Sequence, residues 1–138
     1  MMHWVLLLTL AFDLSTVKNE PNLEKRSELA LSNANLALNA ARDDYNAGNI
    51  EKSTSELQEV CDSVDLAYES LSDTGKDPRK DPKFFKRAEL STRELLRRLE
   101  NLAPGMSAVD RGTLEKVRER ISDVHDNLLK GIMSKKKK

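Results

Sequence analysis

The sequence predicts an all-α protein, an antiparallel up-down-up-down four-helix bundle built from two helical hairpins. Three observations predict it. The composition favours helices: 138 residues hold 5 glycines, 4 prolines, 4% aromatic and 33% charged residues. Leu, Ala, Glu, Lys and Arg dominate, and these side chains lose the least freedom in a helix. Apolar residues recur at steps of three and four along four long stretches, which lays them on one flank of a helix. The breakers fall between those stretches, at Gly48, at Gly75–Pro82 and at Pro104–Gly105. The length suits one domain with one core.

Residues 1–17 read as a signal-like apolar segment. Trp4, Val5, Leu6, Leu7, Leu8, Thr9, Leu10, Ala11 and Phe12 form an unbroken run. A bilayer span needs about 20 residues, so this run is too short to cross. It matches the apolar centre of an export signal, although no Lys or Arg precedes it and only Ser15 and Thr16 offer a cleavage point. A single domain is expected over 18–134, followed by a basic tail at 135–138.

The first long helix is expected at about 21–47, with Pro21 in its first turn and Gly48 as its left-handed stop. Its stripe is Leu23, Ala30, Ala34, Ala37, Leu38, Ala41 and Tyr45, with a second edge of Leu29, Leu36, Ala40 and Ala47. The alanines allow a neighbouring helix to approach closely. The second helix, about 50–72, is capped by Asn49 and carries Ile50, Thr54, Leu57, Cys61, Val64, Tyr68 and Leu71, widened by Val60 and Ala67. "SDTGKDPRKDPK" divides the two hairpins.

The third helix, about 82–103, is expected to be capped by Asp81 with Pro82 at its first position. Phe84, Ala88, Leu95, Leu99 and Leu102 form its stripe, broadened by Phe85 and Leu96. The fourth, about 107–133, opens on Ser107 and Asp110, a relative of the capping box. It presents Leu114, Val117, Ile121, Val124, Leu128 and Ile132.

Formal net charge is zero, but residues 1–75 carry 13 acids and 5 bases, a balance of −8. Residues 76–138 carry 10 acids and 18 bases, a balance of +8. An acidic hairpin docking on a basic one accounts for this, and an outside anion meeting the basic half is the competing reading. The single cysteine, Cys61, excludes an internal disulfide and sits on an apolar stripe as a small packed side chain.

Chemistry-bearing patterns are sparse. Of the two histidines, His3 lies in the signal-like segment and His125 has Ser122 rather than Glu three residues before it, so no di-iron pair forms. No zinc set follows from one cysteine. Asp62, Asp65 and Glu69 share a helix face, and ion pairing with the basic half explains them better than a hard cation. There is no G-x-S-x-G elbow and no glycine-rich phosphate loop. The reading is therefore no enzyme, no catalytic residue, no metal and no cofactor. The candidate interaction surface is the basic stretch Lys76, Arg79, Lys80, Lys83, Lys86, Arg87, Arg93, Arg97 and Arg98.

Two resemblances bear on these residues. "YNAGNIEKS", residues 45–53, resembles the turn of a tetratricopeptide hairpin, with Ala37 and Asp65 where that repeat places a large aromatic and a proline. It implies a tight antiparallel helix pair, not a peptide-binding superhelix. "GKDPRKDPKFFKRAELSTRELLRRLENL" and "VRERISDVHDNLLKGIM" resemble an uncharacterised group of exported bacterial helical proteins, which implies an export signal. The expected function is that of an exported, non-enzymatic envelope or periplasmic interaction or structural module with a protein partner. An anionic polymer or a membrane surface is the other expected contact, and no small-molecule substrate is expected. The alternative is a cytosolic binder of nucleic acid or another anionic polymer through residues 76–98.

Overall fold

The computed structural model describes residues 14–134; the apolar run within 1–13 and the tail at 135–138 lie outside the described residues. Five α-helices follow in order: α1 Leu14–Lys18, α2 Leu23–Asn46, α3 Ile50–Asp73, α4 Lys83–Leu102 and α5 Ala108–Met133. A 3₁₀ turn, Ala103–Gly105, links α4 to α5, and no strand occurs among the described residues. The four long helices pack together as a helical bundle. The expected boundary at residue 17 falls inside α1, whose Leu14 and Val17 rest on the core.

Each terminus has a local cause. The Asn22 side chain accepts from the Lys25 N–H at 3.0 Å and starts α2. Gly48 adopts φ +87°, a left-handed value that turns the chain from α2 into α3 without a Cβ penalty. Ser107 accepts from the Asp110 N–H at 3.2 Å and starts α5. Two expected caps differ. Asn49 makes no cap bond, because its amide faces Asp44 at 3.5 Å. Asp81 does not cap α4, whose N-cap is Pro82. Residues 77–81 instead turn around Asp77, which accepts from the Arg79 N–H at 2.9 Å through its side chain and from the Asp81 N–H at 2.8 Å through its carbonyl.

The core is one continuous cluster. Ala30, Ala34, Ala37, Leu38 and Ala41 of α2 meet Leu57, Val60, Val64 and Leu71 of α3. Phe85, Ala88, Leu95 and Leu99 of α4 and Leu114, Val117, Ile121, Val124 and Leu128 of α5 complete it. Burial of each large aliphatic contributes about 1.5–3 kcal/mol. Small side chains line α2 and α3, where Ser27, Ser53, Ser63 and Ser70 are buried beside the alanines, so the two backbones come close. The Ser53 hydroxyl donates to the Ala41 carbonyl at 2.7 Å, and Asn33 donates to Ser63 Oγ at 2.9 Å.

Three expectations about faces are corrected. The second apolar edge of α2 points to solvent, with Leu29 38% and Leu36 48% exposed, because partners cover only the other side of that helix. Ile50 and Thr54 at the start of α3 are exposed, since the stripe enters the core only at Ser53 and Leu57. On α4 it is Phe85 that is buried, while Phe84 is half-buried under two cations. Lys83 Nζ and Arg87 Cζ each lie 5.3 Å from its ring centre.

Candidate functional site

The nine basic residues of 76–98 divide into two groups. One group has partners within the molecule. Lys76 Nζ meets Glu24 at 2.8 Å, and Arg87 pairs with Glu28. Arg93 donates to Glu89 at 2.6 Å and 2.9 Å, and Arg97 pairs with Glu94. Arg98 donates to Asn35 at 2.9 Å and also to Asn39, and Arg79 meets Asp77 at 3.2 Å. The other group is Lys80, Lys83 and Lys86, all exposed, with no carboxylate partner among the described residues. The unpaired cations therefore fall between Lys80 and Lys86, with Lys76, Arg79 and Arg87 paired around them and every cation further along α4 engaged. Arg98 is distinctive: burial and the nearby Arg42 lower its proton affinity.

The most buried charged cluster joins α4 to α5. Glu89 is only 5% exposed. Its Oε2 accepts from Arg93 and lies 2.8 Å from His125 Nε2. His125 Nδ1 faces Asp126 at 3.5 Å. Burial raises the Glu89 carboxyl, but the hydrogen bonds from His125 and Arg93 outweigh it and leave the group below its usual value. His125 was legible as a boundary histidine among acids. Glu89, its real partner, lies 36 positions away and faces it only once the helices pack.

A second carboxyl cluster closes the α2–α3 turn. Burial pushes Glu56 up to about 7, and the hydrogen bond and charge of Asp44 add to the effect. Glu56 Oε1 is buried with no hydrogen-bond partner, which agrees with a carboxyl that favours its neutral form. Lys52 stands 3.8 Å from Asp44 and opposes the shift. Elsewhere on α3, Asp65 is engaged by Arg120 at 2.5 Å and 3.2 Å, as charge complementarity between the halves demands. Asp62 accepts from Gln58 at 3.1 Å. Cys61 is buried, and burial, with Asp65 second, pushes its thiol up to about 11, which keeps it unreactive at neutral pH.

At the opposite end from the lysines, Tyr45 links two helix termini. Its hydroxyl donates to Asp110 at 3.0 Å and accepts the Ser107 N–H at 3.0 Å. In a capping box the acid reaches back to that N–H directly; here the phenol stands between them. Open depressions of about 180 Å³ lie among Leu38, Arg42, Arg98, Asn101 and Leu102, and of about 240 Å³ along Glu115, Arg118, Glu119, Ser122 and Asp123. Among the described residues no cluster of three or more His, Cys, Asp or Glu side chains is arranged to hold a metal ion. No described helix is long and apolar enough to cross a membrane. No family model, curated protein or solved structure matches the chain.

Proposed function

We propose that this chain is an exported, non-enzymatic helical protein that works in the cell envelope as an interaction or structural module. In this reading the four long helices form an antiparallel up-down-up-down bundle of two hairpins. Partner numbering supports the arrangement. Along α2 and α3 it runs in opposite directions, Asn33 with Ser63 and Ala41 with Ser53. Along α4 and α5 it does the same, Glu89 with His125 and Glu100 with Arg118. Along α2 and α4 it runs in one direction, Glu28 with Arg87 and Asn39 with Arg98.

The observation that carries the functional reading is the fate of His125. This histidine, flanked by acids in sequence, holds α5 to α4 through Glu89. What remains for function is surface, and within the 76–98 stretch the cations with no carboxylate partner among the described residues are Lys80, Lys83 and Lys86. The apolar run from Trp4 to Phe12 supports export. A cytosolic binder of an anionic polymer is the weaker reading, because Arg93, Arg97 and Arg98 already have partners in the fold. Fractionation of an expressing bacterium, with intact mass of the recovered protein, tests the proposal. Recovery outside the cytosol, shortened within the first 17 residues, is expected. Full-length protein confined to the cytosol contradicts it.

A further inference from the structure

Charge separates more sharply by helix than by half of the sequence. α3 carries 7 acids and 1 base, a balance of −6, and α4 carries 6 bases and 3 acids, a balance of +3. α2 stands at −1 and α5 at zero. Side-chain pairs place these helices around the bundle. Asn33 of α2 bonds Ser63 of α3, and Asp65 of α3 meets Arg120 of α5. Glu89 of α4 meets His125 of α5, and Glu28 of α2 meets Arg87 of α4. α3 and α4 thus each pack against α2 and α5, and their outward faces look away from each other, one acidic and one basic.

The outward face of α3 holds Asp62, Glu69 and Asp73, all exposed and with no ion-pair partner among the described residues. Beside it, Leu29 and Leu36 of α2 stand one turn to either side of Asn33, which reaches across to Glu59 and Ser63. These two exposed leucines therefore edge the α2–α3 groove. On α4, steps of three and four bring Lys83, Lys86, Leu90 and Arg93 into one outward stripe. Leu90 is 55% exposed, and the Arg93 side chain, although bonded to Glu89, remains 61% exposed. Laid antiparallel, the two stripes match in spacing. Lys83 falls opposite Asp73, Lys86 opposite Glu69 and Arg93 opposite Asp62. Leu90 falls midway between Glu69 and Asp62, the level at which the α2–α3 pairing places Leu29.

We propose that the α4 stripe of one copy of this chain docks on the α2–α3 face of a second copy. This deepens the reading of the chain as a structural module, on which it rests, by naming the partner. One fold supplies both surfaces in matching register, which favours a second copy over a foreign anion. Two different patches meet, and they lie on opposite sides of the molecule. Each copy therefore keeps one of each free, and association is head to tail and open-ended rather than a closed pair. With a formal net charge of zero, no overall self-repulsion opposes it. Exposed ion pairs are individually weak and screened by salt, so the contact is weak, concentration-dependent and salt-sensitive. Both faces lie on α2, α3 and α4, so removal of the first 17 residues leaves them in place.

Analytical ultracentrifugation of the chain over a range of concentrations tests this. At low salt the average mass should rise with concentration, and it should return to that of the monomer at about 1 M salt, where charges are screened within about 3 Å. Lys83→Glu with Lys86→Glu should weaken association by about tenfold or more, and so should Glu69→Lys with Asp73→Lys. A mixture of these two charge-reversed proteins should associate within about threefold of wild type, because each supplies the face the other lacks. Lys116→Glu, on α5, should leave association within about twofold of wild type. Circular dichroism of each variant verifies the fold. A chain that stays monomeric at low salt, association that salt strengthens, a reversed variant that associates like wild type, or a mixture that stays monomeric would overturn the proposal. So would a monomeric chain that binds polyglutamate, which would give the basic stripe to an outside anion. Fractionation judges the location separately, so an exported chain that stays monomeric defeats only the self-association.

Discussion

At the scale of single residues, two carboxyls set the pH response in opposite directions. Glu56 has a folded-state value raised from 4.5 to about 7, with burial as the leading cause. The folded protein therefore holds that proton more tightly than the unfolded chain does. Its stabilising contribution is complete below about 4.5 and is lost as the pH climbs through about 7. Glu89 is shifted downward by His125 and Arg93, so its contribution is present above 4.5 and disappears as the solution becomes more acid. Stability should peak at mildly acidic pH. Glu56→Gln should remove the decline on the alkaline side and raise stability at pH 8 by about 1 kcal/mol, a value discounted for solvent screening. Urea unfolding at pH 5 and pH 8 reads this directly; an unchanged difference between the two in the variant would contradict the role given to Glu56. Neither carboxyl stood out in the sequence. Glu56 is one of several glutamates on α3, and the hydrogen bond and charge of Asp44 that add to its shift come from the other side of the turn.

At the scale of elements, the helices were legible and their decoration less so. Period and breakers both act locally, so the stripe from Leu57 to Leu71 and the Gly48 stop emerge from the residues alone. The second edge of α2 misleads because periodicity reports which residues share a face, not which faces receive a neighbour. Leu29 and Leu36 recur as regularly as the core residues do, yet no helix covers them. The buried serines mislead in the other direction. Ser53 and Ser63 read as polar surface, but their hydroxyls find partners within the α2–α3 pair, which removes the penalty of burying them. Asp81 fails as a cap because Asp77, four residues earlier, organises the turn first. The register of α3 has a sharp test. Leu57 is 2% exposed and faces the core, so Leu57→Asp should cost about 3–5 kcal/mol, the penalty for an unpaired buried charge. A thermal melt followed by circular dichroism should shift down by well over ten degrees or disappear; a melt superimposable on wild type would refute the register.

At the scale of the whole molecule, packing sets the two oppositely charged halves of the sequence against each other. The −8 and +8 halves pair sideways through Asp65 with Arg120 and Glu28 with Arg87, while Lys80, Lys83 and Lys86 keep no carboxylate partner among the described residues. The nine basic residues were legible as a group, but which of them stay available was not. That depends on α2 supplying Glu24, Glu28, Asn35 and Asn39 from some 50 to 60 positions away, a matter of topology rather than local pattern. All of this presumes that the four long helices share one core and unfold together. Native-state hydrogen exchange measures that most directly. The slowest amides around Leu38, Val64, Leu95 and Ile121 should exchange with one common free energy, equal to that of global unfolding. If α2 and α3 exchange at a distinctly different free energy from α4 and α5, the molecule is two independent hairpins and the shared core is wrong.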